Sequence, residues 1–331
     1  MEAFIKYTSY ILPENELSNE DFIKLFPEWD AKKIENKIGI KTRWVAGENE
    51  SSSDLAVAAI NQLCEEYPID KQHIDFLIVC TQSPDYFLPA TACVVQDKAQ
   101  IGVHCGALDI NQGCSGYVYG LSLAKGLIAA GIARNVLLVT SEMYSKHLHA
   151  VDKKTRSIFG DGASATLIST EGQYKIGNFS LGTDGSGAKN LIVRNGAFKH
   201  PKTADLESFP NGNFLYMDGP EIFRFTNRAV PSLVQETLNK NGETLGSIDQ
   251  YVFHQANTYM INSLREKIGI PEEKFIIDMK EYGNTVSATI PIVLKNLISQ
   301  SENKDKILLA GFGVGYSWGG VVIYKECFKD I

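Results

Sequence analysis

No two of the six cysteines are spaced as C-x-x-C, so neither a zinc site nor a dithiol redox motif is indicated. Cys64, Cys80, Cys93, Cys105, Cys114 and Cys327 fall largely in apolar runs. That distribution argues against a disulfide framework and for reduced thiols in the cytoplasm. No stretch approaches the about 18 uninterrupted apolar residues of a membrane span. The opening residues Met1-Glu2-Ala3-Phe4-Ile5-Lys6 lack a basic segment followed by an apolar one, so no signal peptide is expected. Positive charge is in deficit as well. A net charge of −7 disfavours a nucleic-acid surface and leaves room only for a local basic patch. The chain is not poor in apolar residues: 44% are hydrophobic and 21% charged over 331 residues. Those proportions belong to a globular chain with a large core.

What is present is an alternation of strand-like and helix-like segments, the pattern of a layered α/β fold. Ala3 to Leu12 reads as a first strand, and Ser18-Asn19-Glu20-Asp21 as a helix start. Ser53-Asp54 should cap a helix from Leu55 to Tyr67. Ile74 to Cys80 and Val136 to Thr140 are continuous apolar runs suited to buried strands. Residues 172 to 220 are rich in Gly, Asn, Asp and Lys and read as loops and short strands covering a site. Helical periodicity returns at Glu221 to Asn239, Thr258 to Ile268 and Ser287 to Gln300. Tyr251 to Phe253 and Phe275 to Ile277 read as short strands, and Ile307 to Ala310 and Gly320 to Tyr324 as closing ones around a glycine-rich loop. The change of texture near Glu171 divides the chain into an N-terminal half, 1–171, and a C-terminal half, 172–331.

One stretch places chemistry. Asn111-Gln112-Gly113-Cys114-Ser115-Gly116-Tyr117 follows a strand, Gly106 to Ile110, and opens a helix, Val118 to Ala130. A cysteine between glycines at a helix start can meet a substrate closely, and the free N–H groups there favour the thiolate. His254 follows the strand Tyr251 to Phe253, and Asn284 lies in the loop Tyr282-Gly283-Asn284-Thr285. Cys with His and Asn elsewhere is a nucleophile pattern, although spacing alone does not bring the three together.

With their neighbours these residues are more specific. The chain resembles the thiolase superfamily, and within it the β-ketoacyl-acyl-carrier-protein synthase III family, over nearly its whole length. The resemblance is carried by Gly113-Cys114-Ser115-Gly116, Phe159-Gly160-Asp161-Gly162-Ala163, His254-Gln255-Ala256-Asn257, Gly283-Asn284-Thr285 and Gly313-Val314-Gly315-Tyr316-Ser317-Trp318-Gly319. It implies a five-layer αβαβα fold of two similar halves and a homodimer. It implies no cofactor and no metal. Cys114 would take an acyl group from an acyl-CoA or an acyl-carrier-protein donor. His254 and Asn284 would stabilise the enolate formed when malonyl-acyl-carrier protein loses carbon dioxide. Backbone N–H groups of Cys114 and Val314 would form a second oxyanion hole. Phe312 would be an apolar wall at the reacting carboxylate, with Phe87 and Leu88, in the loop Tyr86-Phe87-Leu88, contributing to the acyl pocket across the dimer interface. Lys37, Arg156 and Asn257 would hold the phosphopantetheine arm.

The resemblance also separates relatives. Thiolases use a second cysteine near the C-terminal glycine turn, where this chain has none; Cys327 lies beyond the last expected strand. Asn284 therefore favours decarboxylative condensation, in fatty-acid initiation or a specialised acyl pathway. The alternative is an acyltransferase passing the acyl group to a hydroxyl or amine. Lys37 stands where an Arg is usual, Tyr259 replaces another, and Lys153 fits the spacing of a third about as well as Arg156. Lysine is a point charge without a planar fork, which weakens stacking and bidentate phosphate contacts.

Overall fold

The computed structural model describes residues 1–201, 212–300 and 304–326; Cys327 lies outside them. The first half runs β1 (Phe4–Ile11), β2 (Asn15–Ser18), α1 (Asn19–Leu25), α2 (Ala31–Ile38), β3 (Thr42–Val45), α3 (Ser52–Glu66), β4 (Phe76–Cys80), α4 (Thr91–Lys98), β5 (Gly106–Ile110), α5 (Gly116–Ala129), β6 (Asn135–Glu142), α6 (Lys153–Arg156) and β7 (Gly162–Ser169). The second runs β8 (Tyr174–Thr183), β9 (Leu191–Val193), β10 (Leu215–Met217), α7 (Gly219–Asn241), β11 (Gln250–Phe253), α8 (Thr258–Ile268), α9 (Thr289–Gln300), β12 (Lys306–Gly313) and β13 (Ser317–Lys325).

Among the described residues a nine-stranded sheet has the order β11-β12-β13-β8-β1-β7-β6-β4-β5. The two halves repeat one plan about the β1–β8 junction, which is a short antiparallel pairing of Phe4 and Ile5 with Lys175 and Tyr174. In the first half β4 lies parallel to β6, and β6–β7 and β7–β1 are antiparallel. In the second, β11 lies parallel to β12, and β12–β13 and β13–β8 are antiparallel. The outer position held by β5 in the first half is reduced in the second to one bridge between Tyr251 and Phe275, so the expected strand at Phe275 to Ile277 does not form. The boundary expected at 171/172 falls between β7 and β8.

Alternation along the strands builds the layers. On β4, Leu77 and Val79 face α3 and α4 in one core, while Ile78 faces α5 in another. On β12, Leu308 and Ala310 join the core under α7 and α8, while Ile307 and Leu309 join α5 and α9. The order is therefore α3/α4, sheet, α5/α9, sheet, α7/α8: the αβαβα arrangement. Helix starts are set by caps. Ser51 and Asp54 form a reciprocal capping box on α3, and Asp218 caps α7 just before Pro220. No described helix is long and apolar enough to cross a membrane.

Two further segments depart from the sequence reading. Residues 174–183 are a ten-residue strand in the middle of the sheet, not a loop. Tyr174, Ile176 and Ser180 alternate inward there, but the intervening Gly177, Asn178 and Gly182 mask the period in the letters. The glycine-rich stretch 311–319 is mostly strand, with only a tight turn between β12 and β13.

Candidate active site

Cys114 sits in the turn between β5 and α5, where Gly116 N–H donates to Gly113 O at 2.7 Å. The side chain is almost closed off, at 7% exposure. Strand β12 passes directly against it. A Cβ on Gly313 would stand 2.8 Å from the Cys114 sulfur, and one on Gly311 would stand 2.7 Å from the Cys114 carbonyl oxygen. Only glycine allows that approach.

The N–H groups of Val314 and of Cys114 itself are directed at the sulfur and lower its pKa, but burial, with the Glu142 carboxyl behind it, outweighs them and pushes the thiol up to about 12. The sequence reading, in which the helix start favours the thiolate, names a real contribution that is smaller than desolvation in the resting molecule. Cys114 rests as a thiol.

β11 delivers His254, which is 2% exposed. Its Nδ1 lies 2.8 Å from the Thr289 hydroxyl. Burial holds the imidazole far below its ordinary range, at about 3, so it is neutral at pH 7. The Phe312 ring meets it edge-on, with centroids 5.8 Å apart.

Asn284 is stitched in by backbone. Its N–H donates to Ile158 O at 2.9 Å, and its carbonyl accepts from Gly160 N–H at 3.0 Å. The Asn284 Oδ1 accepts from Val286 N–H at 2.9 Å. Its Nδ2 has only a long 3.5 Å contact, to Ala256 O. Val286 adopts φ +56°, the left-handed region. For a β-branched residue that conformation costs on the order of 1–3 kcal/mol. The α9 start and the Asn284 bond hold it there.

Cys114, His254, Asn284 and Phe312 line one cavity of about 320 Å³. Its shaft is walled by Ile158, Phe159, Met217 and Phe223, and Asn257 and Tyr259 also line it. Asn257 uses its side chain to cap α8, accepting from Met260 N–H at 2.9 Å. Tyr259 is exposed and stacks on Phe223. Gln255 pins the loop by donating to Phe253 O and accepting from Asp278 N–H.

Four expected residues lie elsewhere. Phe87 and Leu88 are 76% and 81% exposed, on a loop that projects outward, and do not line the cavity of their own chain. Lys37, in the last turn of α2, is exposed and also not among its walls. Arg156 lines a neighbouring cavity of about 480 Å³, reached past Phe159, because the Arg156 end of α6 turns towards β3. Lys153 pairs with Glu28 and stands over the Phe26 ring.

Sequence reasoning missed Glu142, Ser287, Gln82 and Thr289. Glu142 is fully buried, accepting from Ser287 Oγ at 2.7 Å and from Gln82 N–H at 3.0 Å. A carboxylate at the end of an apolar strand is the available signal for it.

Known proteins resemble this chain over nearly its whole length. A family model described as 3-oxoacyl-[acyl-carrier-protein (ACP)] synthase III matches residues 108–185, and the model of its C-terminal part matches 238–325. The chain is 37% identical over 327 residues to a β-ketoacyl-[acyl-carrier-protein] synthase III of Clostridium perfringens, covering 98% of both. It is 39% identical over 311 residues to that of Deinococcus deserti, covering 92% of this chain and 86% of the relative. Among solved structures, a 3-oxoacyl-(acyl-carrier-protein) synthase III superposes with TM-score 0.93 at 44% identity, covering 98% and 100%. A 3-oxoacyl-(acyl-carrier protein) synthase from Burkholderia xenovorans superposes with TM-score 0.90 at 36% identity, covering 98% and 94%.

Proposed function

The chain belongs to the 3-oxoacyl-[acyl-carrier-protein] synthase III family, and we propose that Cys114, His254 and Asn284 carry its condensing chemistry. The enzyme is a condensing enzyme of the β-ketoacyl-acyl-carrier-protein synthase III type. The observation that supports these residue roles is the convergence of all three on one narrow apolar cavity with Phe312.

In the first half-reaction the Cys114 sulfur attacks an acyl thioester, from an acyl-CoA or acyl-carrier protein. A tetrahedral oxyanion forms against the Cys114 and Val314 N–H groups, the donor's thiol leaves with the proton, and the acyl group stays on sulfur. In the second, a malonyl thioester enters along the same shaft. Its C–CO₂ bond breaks and the electron pair passes into the thioester carbonyl, whose enolate oxygen takes hydrogen bonds from His254 and Asn284. The buried face of Phe312 leaves the departing carboxylate poorly solvated. The enolate carbon then attacks the acyl carbon, and Cys114 leaves as the thiolate and regains a proton. The product is a β-ketoacyl thioester on acyl carrier protein.

The two halves, 1–171 and 172–331, are supported as units by their repeated strand order. A homodimer is supported by the open edge of β5 and by the exposed pair Phe87 and Phe198, whose rings lie 6.1 Å apart. Across such an interface Phe87 and Leu88 would close a partner's acyl pocket. Sedimentation of a monomer at micromolar concentration would remove this part of the reading. The five cysteines among the described residues are free, which fits a reducing cytoplasm.

The test is intact-protein mass spectrometry with a panel of acyl-CoA and acyl-carrier-protein donors, beside Cys114→Ala. An acyl adduct on the wild type alone, cleared by malonyl-acyl-carrier protein with release of carbon dioxide, is the expected result. An adduct handed to a hydroxyl or amine without that release would make the chain an acyltransferase. An adduct on the variant would overturn the role of Cys114.

A further inference from the structure

His254 is neutral, so its ring carries a single N–H, and which nitrogen holds it decides what the residue can do. To donate to an enolate oxygen from the cavity side, the proton must be on Nε2, and Nδ1 must then be an acceptor. Something has to donate to Nδ1.

The partner of Nδ1 is the Thr289 hydroxyl, at 2.8 Å. That hydroxyl has one proton and two places to put it: His254 Nδ1, or the carbonyl oxygen of Val286 at 3.0 Å. If the proton goes to Val286, Nδ1 must be the protonated nitrogen and Nε2 faces the cavity as a bare lone pair. If it goes to Nδ1, Nε2 carries the N–H. The Val286 carbonyl also accepts from the Thr289 backbone N–H at the start of α9 and lies within hydrogen-bond reach of the imidazole, so it is not left unpaired when the hydroxyl turns to Nδ1. Both Thr289 and His254 are buried, so water does not compete freely for either group.

We propose that Thr289 is a positioning residue whose hydroxyl donates to His254 Nδ1 and so fixes the Nε2–H tautomer that the decarboxylation step requires. The proposal rests on the enolate-stabilising role of His254 given above. Val286 completes the arrangement: its N–H holds Asn284 by Oδ1, which leaves the Asn284 amide N–H groups as the second donor. One short strained segment thereby sets the polarity of both donors.

The experiment compares wild type with Thr289→Val, which keeps the shape and removes the hydroxyl, and Thr289→Ser, which restores it. Three readouts are taken: acylation of Cys114 by intact mass, release of carbon dioxide from malonyl-acyl-carrier protein, and the ¹⁵N shifts of the His254 ring. Thr289→Val should acylate at the wild-type rate and lose about 10²-fold in decarboxylation, the loss typical of one oxyanion donor. Thr289→Ser should recover most of it. The ¹⁵N spectrum should show the proton on Nε2 in wild type and Thr289→Ser. A proton on Nδ1 in the wild type would overturn the proposal, as would wild-type decarboxylation by Thr289→Val. If Thr289→Val fails to fold, the wild-type spectrum still decides. A wild type that neither acylates nor decarboxylates would strike the reading of the site, and the tautomer in that same protein would still judge Thr289.

Discussion

The carboxyl of Glu142 accepts a 2.7 Å hydrogen bond from Ser287, a residue 145 positions later in the chain. It joins the end of β6 to the segment that carries Asn284, behind Cys114. Burial pushes this carboxyl from its ordinary 4.5 up to about 8. Between those values the folded protein binds a proton that the unfolded chain has released, so stability contributed by Glu142 falls as pH rises from about 4.5 through about 8. Asp161, raised by burial to about 6, adds a slope of the same sign at the acid end. In Glu142→Gln the urea midpoint should lose less between pH 6.5 and 8 than in wild type. Parallel curves over that range would show that Glu142 is ionised in the folded state at pH 6.5.

Cys114 should behave as a protonated, buried thiol in the absence of substrate. With its pKa near 12, alkylation by iodoacetamide should accelerate about tenfold per pH unit from 7 to 9 and show no plateau. A plateau near neutral pH would mean that the Val314 and Cys114 N–H groups outweigh burial.

Replacing His254 or Asn284 by Ala separates the two half-reactions. Each variant should still form the acyl adduct on Cys114, and each should lose about 10²–10³-fold in carbon dioxide release from malonyl-acyl-carrier protein. Equal loss of both steps would assign these residues to binding instead of enolate stabilisation.

Two glycine-to-alanine changes should have opposite outcomes. At Gly313 the new methyl would meet the Cys114 sulfur at 2.8 Å, and acylation should fall at least about tenfold. At Gly126, within α5, nothing lies within 4 Å of the new atom. There the melting temperature should rise, corresponding to about 0.4–1 kcal/mol. Thermal melts and acylation rates on both variants check the pair.

The apolar runs at Ile78 and Val139, the helix start at Ser18, and the α8 limits at Thr258 and Ile268 could all be read from local letters, because period and capping are local properties; the α3 cap is Ser51, two residues before the expected Ser53-Asp54, since Asp54 serves as the third residue of the capping box. β8 could not, since Gly177 and Gly182 are allowed in a central strand only by neighbours that come from β13. The chemistry divides in the same way. Cys114, His254 and Asn284 each sit in a short, distinctive string. Thr289 and Ser287 look like ordinary helix-start residues, and their partners are 35 and 145 residues distant. Arg156 stands in a neighbouring cavity that shares Phe159 with the Cys114 cavity, a placement that spacing along the chain does not fix.

The layer of α5 and α9 between the half-sheets has a consequence for synthesis. Cys114 leaves the ribosome long before Gly313, Val314 and His254 exist, and no group of the first half alone supplies the N–H of Val314 or the donors of the second step. Until the second half is made, the nucleophile has only its own N–H of these groups. Competence for acyl transfer and correct docking of the second half arrive together, so a truncated or misassembled chain carries a thiol with half an oxyanion hole and none of the second-step donors.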